Sequence, residues 1–72
     1  MKIYPNPSSN EVFFTQSVYG KLEIFDYSGR VVSEKYIREG TKSIDISNMK
    51  PGLYKIRIKN DLNIYRSFLS IL

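Results

Sequence analysis

Apolar and polar residues alternate with a period of two along most of this chain, which is the pattern of strands with one buried face. The clearest run covers residues 53–59, where Tyr54, Ile56 and Ile58 share one parity and Lys55, Arg57 and Lys59 the other. Residues 11–16 place Val12 and Phe14 on one face and Phe13 on the opposite one. Residues 21–27 carry Leu22 and Ile24 inward; Phe25 breaks the alternation, as at a bulge or a strand covered on both sides. Residues 30–38 form a return strand, residues 41–47 bring Ile44 and Ile46 inward, and residues 63–72 carry apolar side chains on both parities. No stretch sustains a helical period.

Turn formers separate these runs. Pro5, Asn6 and Pro7 block helix and leave room only for a short edge strand at residues 3–4. Tyr19-Gly20, Ser28-Gly29, Glu39-Gly40 and Asn60-Asp61 each read as a reversal of the chain. Asp26 stands where its carboxylate caps the backbone of the Ser28-Gly29 turn. Asn48 to Gly52 forms a corner in which Asn48 caps backbone donors, Pro51 fixes one dihedral and Gly52 takes positive φ. The tally is six good strands and a short first one, about seven in 72 residues. This predicts an all-β fold, a small antiparallel β-sandwich of immunoglobulin-like type with no disulfide. A five-stranded OB barrel is the structural alternative. The expected core is Leu22, Ile24, Ile44, Ile46, Tyr54, Ile56 and Ile58.

Composition narrows the function. The chain has no histidine, cysteine or tryptophan, so the commonest general base and the thiol nucleophile are missing, and an enzyme is not expected. Its seven carboxylates fall mostly at strand ends or on outward parity, without the spacing of a dedicated calcium loop, and no cofactor is expected. No apolar run reaches the roughly 18 residues of a membrane helix. Met1-Lys2 is not followed by the apolar core of a signal peptide, which fits a domain, residues 1–72, excised from a larger secreted protein. The net charge is +4, with eleven basic residues dispersed along the chain. Tyr54 lies on the core parity of the basic strand, where a nucleotide base cannot stack, so nucleic acid is not an expected partner.

The order of the pieces is more specific than any one of them. IYPNPSSNEV, LEIFDYSGRVV and IDISNMKPGLYKIRI follow one another, and a short apolar strand ends the sequence. Together they resemble the C-terminal sorting domain of type IX secretion system cargo proteins of Bacteroidota. The family's Pro-Asn-Pro opening is matched by Pro5, Asn6 and Pro7. Its Asp-x-x-Gly-Arg/Lys hairpin is matched by Asp26, Gly29 and Arg30, and its Leu-x-x-Gly-x-Tyr segment by Met49, Gly52 and Tyr54, with Pro51 inside it. The chain departs from the family near its end, where Arg66 is the one charge among the final residues instead of a lysine pair.

The resemblance implies an address label. It implies an attached N-terminal cargo, transit of the periplasm, and passage to the cell surface or beyond. The partners implied are outer-membrane translocon, shuttle and sortase components, with cleavage by the sortase. Candidate recognition residues are Pro5, Asn6, Pro7, Tyr65, Arg66, Phe68, Leu69, Ile71 and Leu72. If only one parity of the last strand packs on the core, the other is left for a partner, and an edge position would let a partner strand add beside it. The alternative is an accessory fibronectin-III-like spacer or carbohydrate-binding module, with Tyr19, Tyr27 or Tyr36 stacking on sugar rings. Oligonucleotides are expected to bind only weakly and salt-sensitively; sub-micromolar binding at physiological salt in a fluorescence titration would favour the OB barrel instead.

Overall fold

The alternating runs become strands, but fewer and longer than the turn signals suggest. The computed structural model describes residues 2–5 and 10–72. Its strands are β1 (Ile3–Tyr4), β2 (Glu11–Phe25), β3 (Val31–Asp45), β4 (Gly52–Lys59) and β5 (Ile64–Ile71). All pairings are antiparallel, and no helix occurs among the described residues. Five strands therefore stand where seven were expected, because Tyr19-Gly20 and Glu39-Gly40 do not reverse the chain. They lie inside β2 and β3, which stay paired through them: Val18 faces Thr41 and Gly20 faces Ile37, with shifts of register on either side of Val18. Such shifts add unpaired residues, which bend a strand without ending it. The inward parity survives the bend, since Val12, Phe14, Val18, Leu22 and Ile24 are all buried.

The bend makes one sheet serve as two layers. The first half of β2 lies between β1 (Ile3 opposite Phe14) and the end of β3 (Val12 opposite Ile44). Its second half lies between the start of β3 (Leu22 opposite Lys35) and β4 (Ile24 opposite Ile56), and β5 continues the sheet beyond β4. One core cluster joins Ile3, Val12 and Phe14 from the first layer to Leu22, Ile24, Ile56, Ile58, Leu69 and Ile71 from the second. Every residue of the expected core is buried. Leu22, Ile58 and Leu69 have no solvent exposure. Truncating one such side chain to alanine costs about 2–5 kcal/mol, a large share of the total stability of so short a chain.

The turns are held by side chains close in sequence. One oxygen of Asp26, Oδ1, accepts hydrogen bonds from the Ser28 backbone N–H (3.0 Å), the Ser28 hydroxyl (2.7 Å) and the Arg30 backbone N–H (3.0 Å). The second, Oδ2, lies 3.3 Å from Arg30 Nε. The hairpin is closed by Asp26 N–H to the Arg30 carbonyl and Gly29 N–H to the Asp26 carbonyl. At the second corner the capping role expected of Asn48 belongs to Asp45, whose carboxylate accepts from Ser47 N–H at 2.8 Å. The Tyr54 hydroxyl donates to the Lys50 carbonyl at 2.6 Å, pinning the corner to the strand that follows it. Asn60 binds the N–H groups of Leu62 and Asn63 through Oδ1 and donates through Nδ2 to the Tyr19 carbonyl (3.0 Å), tying the β4–β5 turn to the bend in β2. Phe25 is both displaced and covered: a register shift precedes it, and the Arg57 guanidinium lies 5.2 Å from its ring centre.

The first prediction concerns the backbone. Gly20 has φ +126°, and a Cβ there would run into the Lys59 carbonyl oxygen; Gly52 has φ +154°, and a Cβ there would meet only the Tyr54 ring at 3.6 Å. Gly20→Ala is expected to cost on the order of 3 kcal/mol and Gly52→Ala about 1 kcal/mol in urea unfolding, because only the first adds a collision to the conformational strain. Equal midpoints would show that the approach to Lys59 does not govern the bend.

The second prediction concerns acid. The Ser28 hydroxyl and backbone hydrogen bonds hold Asp26 below the usual carboxylate range, Ser47 does the same for Asp45, and the Arg57 hydrogen bond does so for Glu23. Groups whose pKa is lowered by folding contribute stability above their unfolded values and lose it as pH falls through the folded ones. Urea midpoints should therefore be level from neutral pH down to about 5 and fall below about 4. Asp26→Asn should flatten part of that fall; an unchanged acid limb in the variant would refute the assignment.

Candidate functional site

The hairpin between β4 and β5 sets which side chains share the outer face of the second layer. With Lys59 opposite Ile64, the antiparallel register brings Arg57 opposite Arg66 and Lys55 opposite Phe68. On the other side β4 meets β2, with Lys59 opposite Lys21, Arg57 opposite Glu23 and Lys55 opposite Phe25. Beyond β2, Tyr36 faces Lys21 and Glu34 faces Glu23. Three rows therefore cross the sheet. One runs Tyr36, Lys21, Lys59, Ile64; the next Glu34, Glu23, Arg57, Arg66; the third Val31, Phe25, Lys55, Phe68.

The middle row organises the charge. Glu23 is nearly buried, and its Oε1 accepts from Arg57 Nη2 at 2.6 Å and Nε at 3.2 Å. Arg57 also covers the Phe25 ring. Lys21 pairs with Glu34 at 3.6 Å, an exposed contact worth little by itself. The two carboxylates of the face are thus engaged, whereas Lys55, Lys59 and Arg66 make no ion pair among the described residues. Lys55 Nζ lies 5.9 Å from the Phe68 ring centre, a cation–π contact. Five of the eleven cations and two of the seven carboxylates lie on this face, so it holds three of the chain's four excess positive charges. The basic charge that is dispersed in the sequence is gathered in space by the register. A groove of about 420 Å³ runs along it, lined by Phe25, Lys55, Ile56, Arg57, Arg66, Ser67 and Phe68.

The expected recognition residues separate by parity. Leu69 and Ile71 are buried and Tyr65 packs half-buried against the core, so these side chains cap the sandwich. Ile64, Arg66, Phe68 and Leu72 point outward and are exposed, Phe68 by 62% and Leu72 by 71%. Pro5 is exposed beside β1; Asn6 and Pro7 lie outside the described residues. Sequence reasoning did not bring Phe25, Lys55, Arg57 and Lys59 to this surface. The signal was present: once the chain reverses at Asn60-Asp61, the partners of every outward residue follow by counting.

Residues of the second and third motifs gather at one end of the sandwich. Asp26, Arg30 and Val32 from the first hairpin meet Asn48, Met49, Lys50 and Tyr54 from the second corner around a cleft of about 280 Å³. Met49 packs partly buried on the core, and Gly52 and Tyr54 set the entry into β4. Asp26, Gly29 and Arg30 build the hairpin itself. The tyrosines considered for sugar stacking stand apart: Tyr27 is exposed in the β2–β3 turn, Tyr36 lies opposite Lys21 and Tyr19 is half-buried at the bend. Among the described residues no helix is long and apolar enough to cross a membrane.

Comparison with known proteins adds one result. Neither the curated proteins nor the solved structures contain a match. The family model for the secretion system C-terminal sorting domain matches residues 2–71, nearly the whole chain, including the Asp26 hairpin, the Gly52 corner and all five strands. That family is a sorting-signal family and not an enzyme family. With the Asp26 hairpin and the Gly52 corner built into the turns of an all-β fold, the chain belongs to the C-terminal sorting domain family of the type IX secretion system.

Proposed function

We propose that this domain directs an N-terminally attached cargo protein from the periplasm through the outer-membrane translocon of the type IX system, and that a cell-surface sortase then removes it. Membership of the family supports sorting to the cell surface or beyond. The recognition surface on this reading is the outward parity of β5, with Ile64, Arg66, Phe68 and Leu72. The observation that carries it is the division of β5 itself: Tyr65, Leu69 and Ile71 close the core, while large apolar side chains of the other parity stand in solvent. Exposed apolar side chains grouped on one strand, beside a groove, are the usual mark of a contact surface. Pro5, Asn6 and Pro7 are carried in the proposal as a second contact at the start of the domain.

The test separates signal from stability. A reporter with a periplasmic export signal is fused ahead of the domain in a host with a working type IX system. Ile64, Phe68 and Leu72 are changed together to serine in one variant, and Tyr65, Leu69 and Ile71 in another. The outward variant should melt within a few degrees of the parent yet leave the reporter in the periplasm. The inward variant should lose its cooperative melt. Export of the outward variant at the parent's level would place the signal on another face.

A further inference from the structure

We infer that the outer face of the second layer holds an oxyanion site, formed by Arg57 and Arg66 with Lys55 and Lys59 beside them, and that its ligand is a phosphate monoester. Such a site goes beyond the sorting reading and holds whether or not β5 carries the secretion signal.

Two guanidinium forks meet at the centre of this face. The register sets Arg57 directly opposite Arg66, and Lys55 and Lys59 stand on the same parity of β4 on either side of Arg57. Like charges facing one another across a strand pair are unfavourable. Among the described residues one carboxylate enters the group: Glu23, whose Oε1 accepts from Arg57 Nη2 at 2.6 Å and Nε at 3.2 Å. Lys21 and Glu34 on the adjoining strands pair with each other. Four cations against one carboxylate leave three positive charges uncompensated. Arg57 is also held in place, because Glu23 takes one edge of its guanidinium and the Phe25 ring centre lies 5.2 Å away. Its Nη1 has no hydrogen bond among the described residues, and the exposed Arg66 side chain makes neither hydrogen bond nor ion pair among them. A fork fixed in advance loses little freedom on binding, and a second one opposite it adds a matching set of donors.

Charge selects the oxyanion. A carboxylate brings one negative charge and fits a single fork in plane. A phosphate monoester brings nearly two at neutral pH and turns three oxygens to different donors, so it accepts from both arginines and offsets most of the surplus. The groove of about 420 Å³ that Phe25, Lys55, Arg57 and Arg66 help to line leaves room for more than the phosphate, and the Phe25 ring in its wall suits an ester of a ring or an alkyl chain. A lipid headgroup and a soluble ester share this chemistry.

The probe is phenyl phosphate, titrated into the isotope-labelled chain and followed by backbone amide and arginine side-chain N–H shifts, with benzoate as the carboxylate of the same ring. Phenyl phosphate is expected to perturb Arg57 and Arg66 first and to bind at least about tenfold more tightly than benzoate. Its binding should weaken as pH falls from about 7.5 to about 5, since the second ionisation of a phosphate ester lies near pH 6. Arg66→Gln should weaken binding about tenfold with the thermal melt unchanged, while Lys42→Gln, which removes the same charge from the first layer, should change it by less than about twofold. Equal binding of the two probes, a flat pH profile, equal losses in the two variants, or shifts centred elsewhere would overturn the inference. Vesicles tell the two sources apart. Phosphatidic acid vesicles bound more tightly than phenyl phosphate, and displaced by it, assign the ester to a lipid headgroup; vesicles bound no more tightly assign it to a soluble ester. Phosphatidic acid and phosphatidylglycerol vesicles bound alike, with no loss in Arg66→Gln, would overturn the site as adsorption to any anionic surface. The export assay reports separately, because Ile64, Phe68 and Leu72 supply none of the four cations, and either reading can fail alone.

Discussion

The fold depends on the close approach of Gly20 to the Lys59 carbonyl. At that point β2 leaves one layer and enters the other, and the β4–β5 turn is pressed against it. No side chain fits between the two backbones, so the crossing needs glycine and a φ of +126°. Asn60 then fastens the turn to the Tyr19 carbonyl from one residue away. A bend this sharp lets one strand supply Val12 and Phe14 to the first layer and Leu22 and Ile24 to the second. A chain of 72 residues has little surface to bury, and sharing strands between layers saves the residues that separate turns would use.

The same bend explains which parts of the fold were legible in the sequence. Period-two alternation identified the core of β4 and the inward residues of β2 because parity is local and survives a bulge. It did not distinguish a bend from a reversal, since Tyr19-Gly20 and Ser28-Gly29 look alike as turn signals. The difference lies in the surroundings. Asp26 stands two residues before Ser28 and closes a hairpin with its own carboxylate. Around Gly20 the hydrogen bonds come from distant residues: Asn60 to the Tyr19 carbonyl, and Gly40 N–H to the Ser17 hydroxyl at 2.9 Å. Those long-range partners leave no trace in a window of ten residues. The Asp26 hairpin and the Gly52 corner are legible because each is a turn device held by residues close in sequence.

The candidate face was less legible than the fold, for a reason of arithmetic. Lys55, Arg57 and Lys59 announce themselves as an outward row of one strand, but their neighbours across the sheet are 30 to 38 residues earlier on β2 and up to 13 residues later on β5. Only the pairing shows that Glu23 is drawn in by Arg57 and Glu34 meets Lys21, while three cations remain beside exposed aromatic and aliphatic groups. Charge dispersed along a sequence is a statement about the unfolded chain. In the folded one, a two-residue pleat and a fixed register sort the same charges into faces of different character.

The burial of Leu69 and Ile71 in β5 gives that strand a double allegiance. Its inward side chains finish a core that begins with Ile3 and Val12, and its outward side chains stand on the surface beside the basic groove. A chain cut short before these residues is not a slightly smaller sandwich; it takes Leu69 from beside Tyr54 and removes two members of the one core cluster. The two faces of one strand therefore rise and fall together. Any receptor that reads the outer side of β5 also reads, at no further cost, whether the whole domain has been completed and has closed.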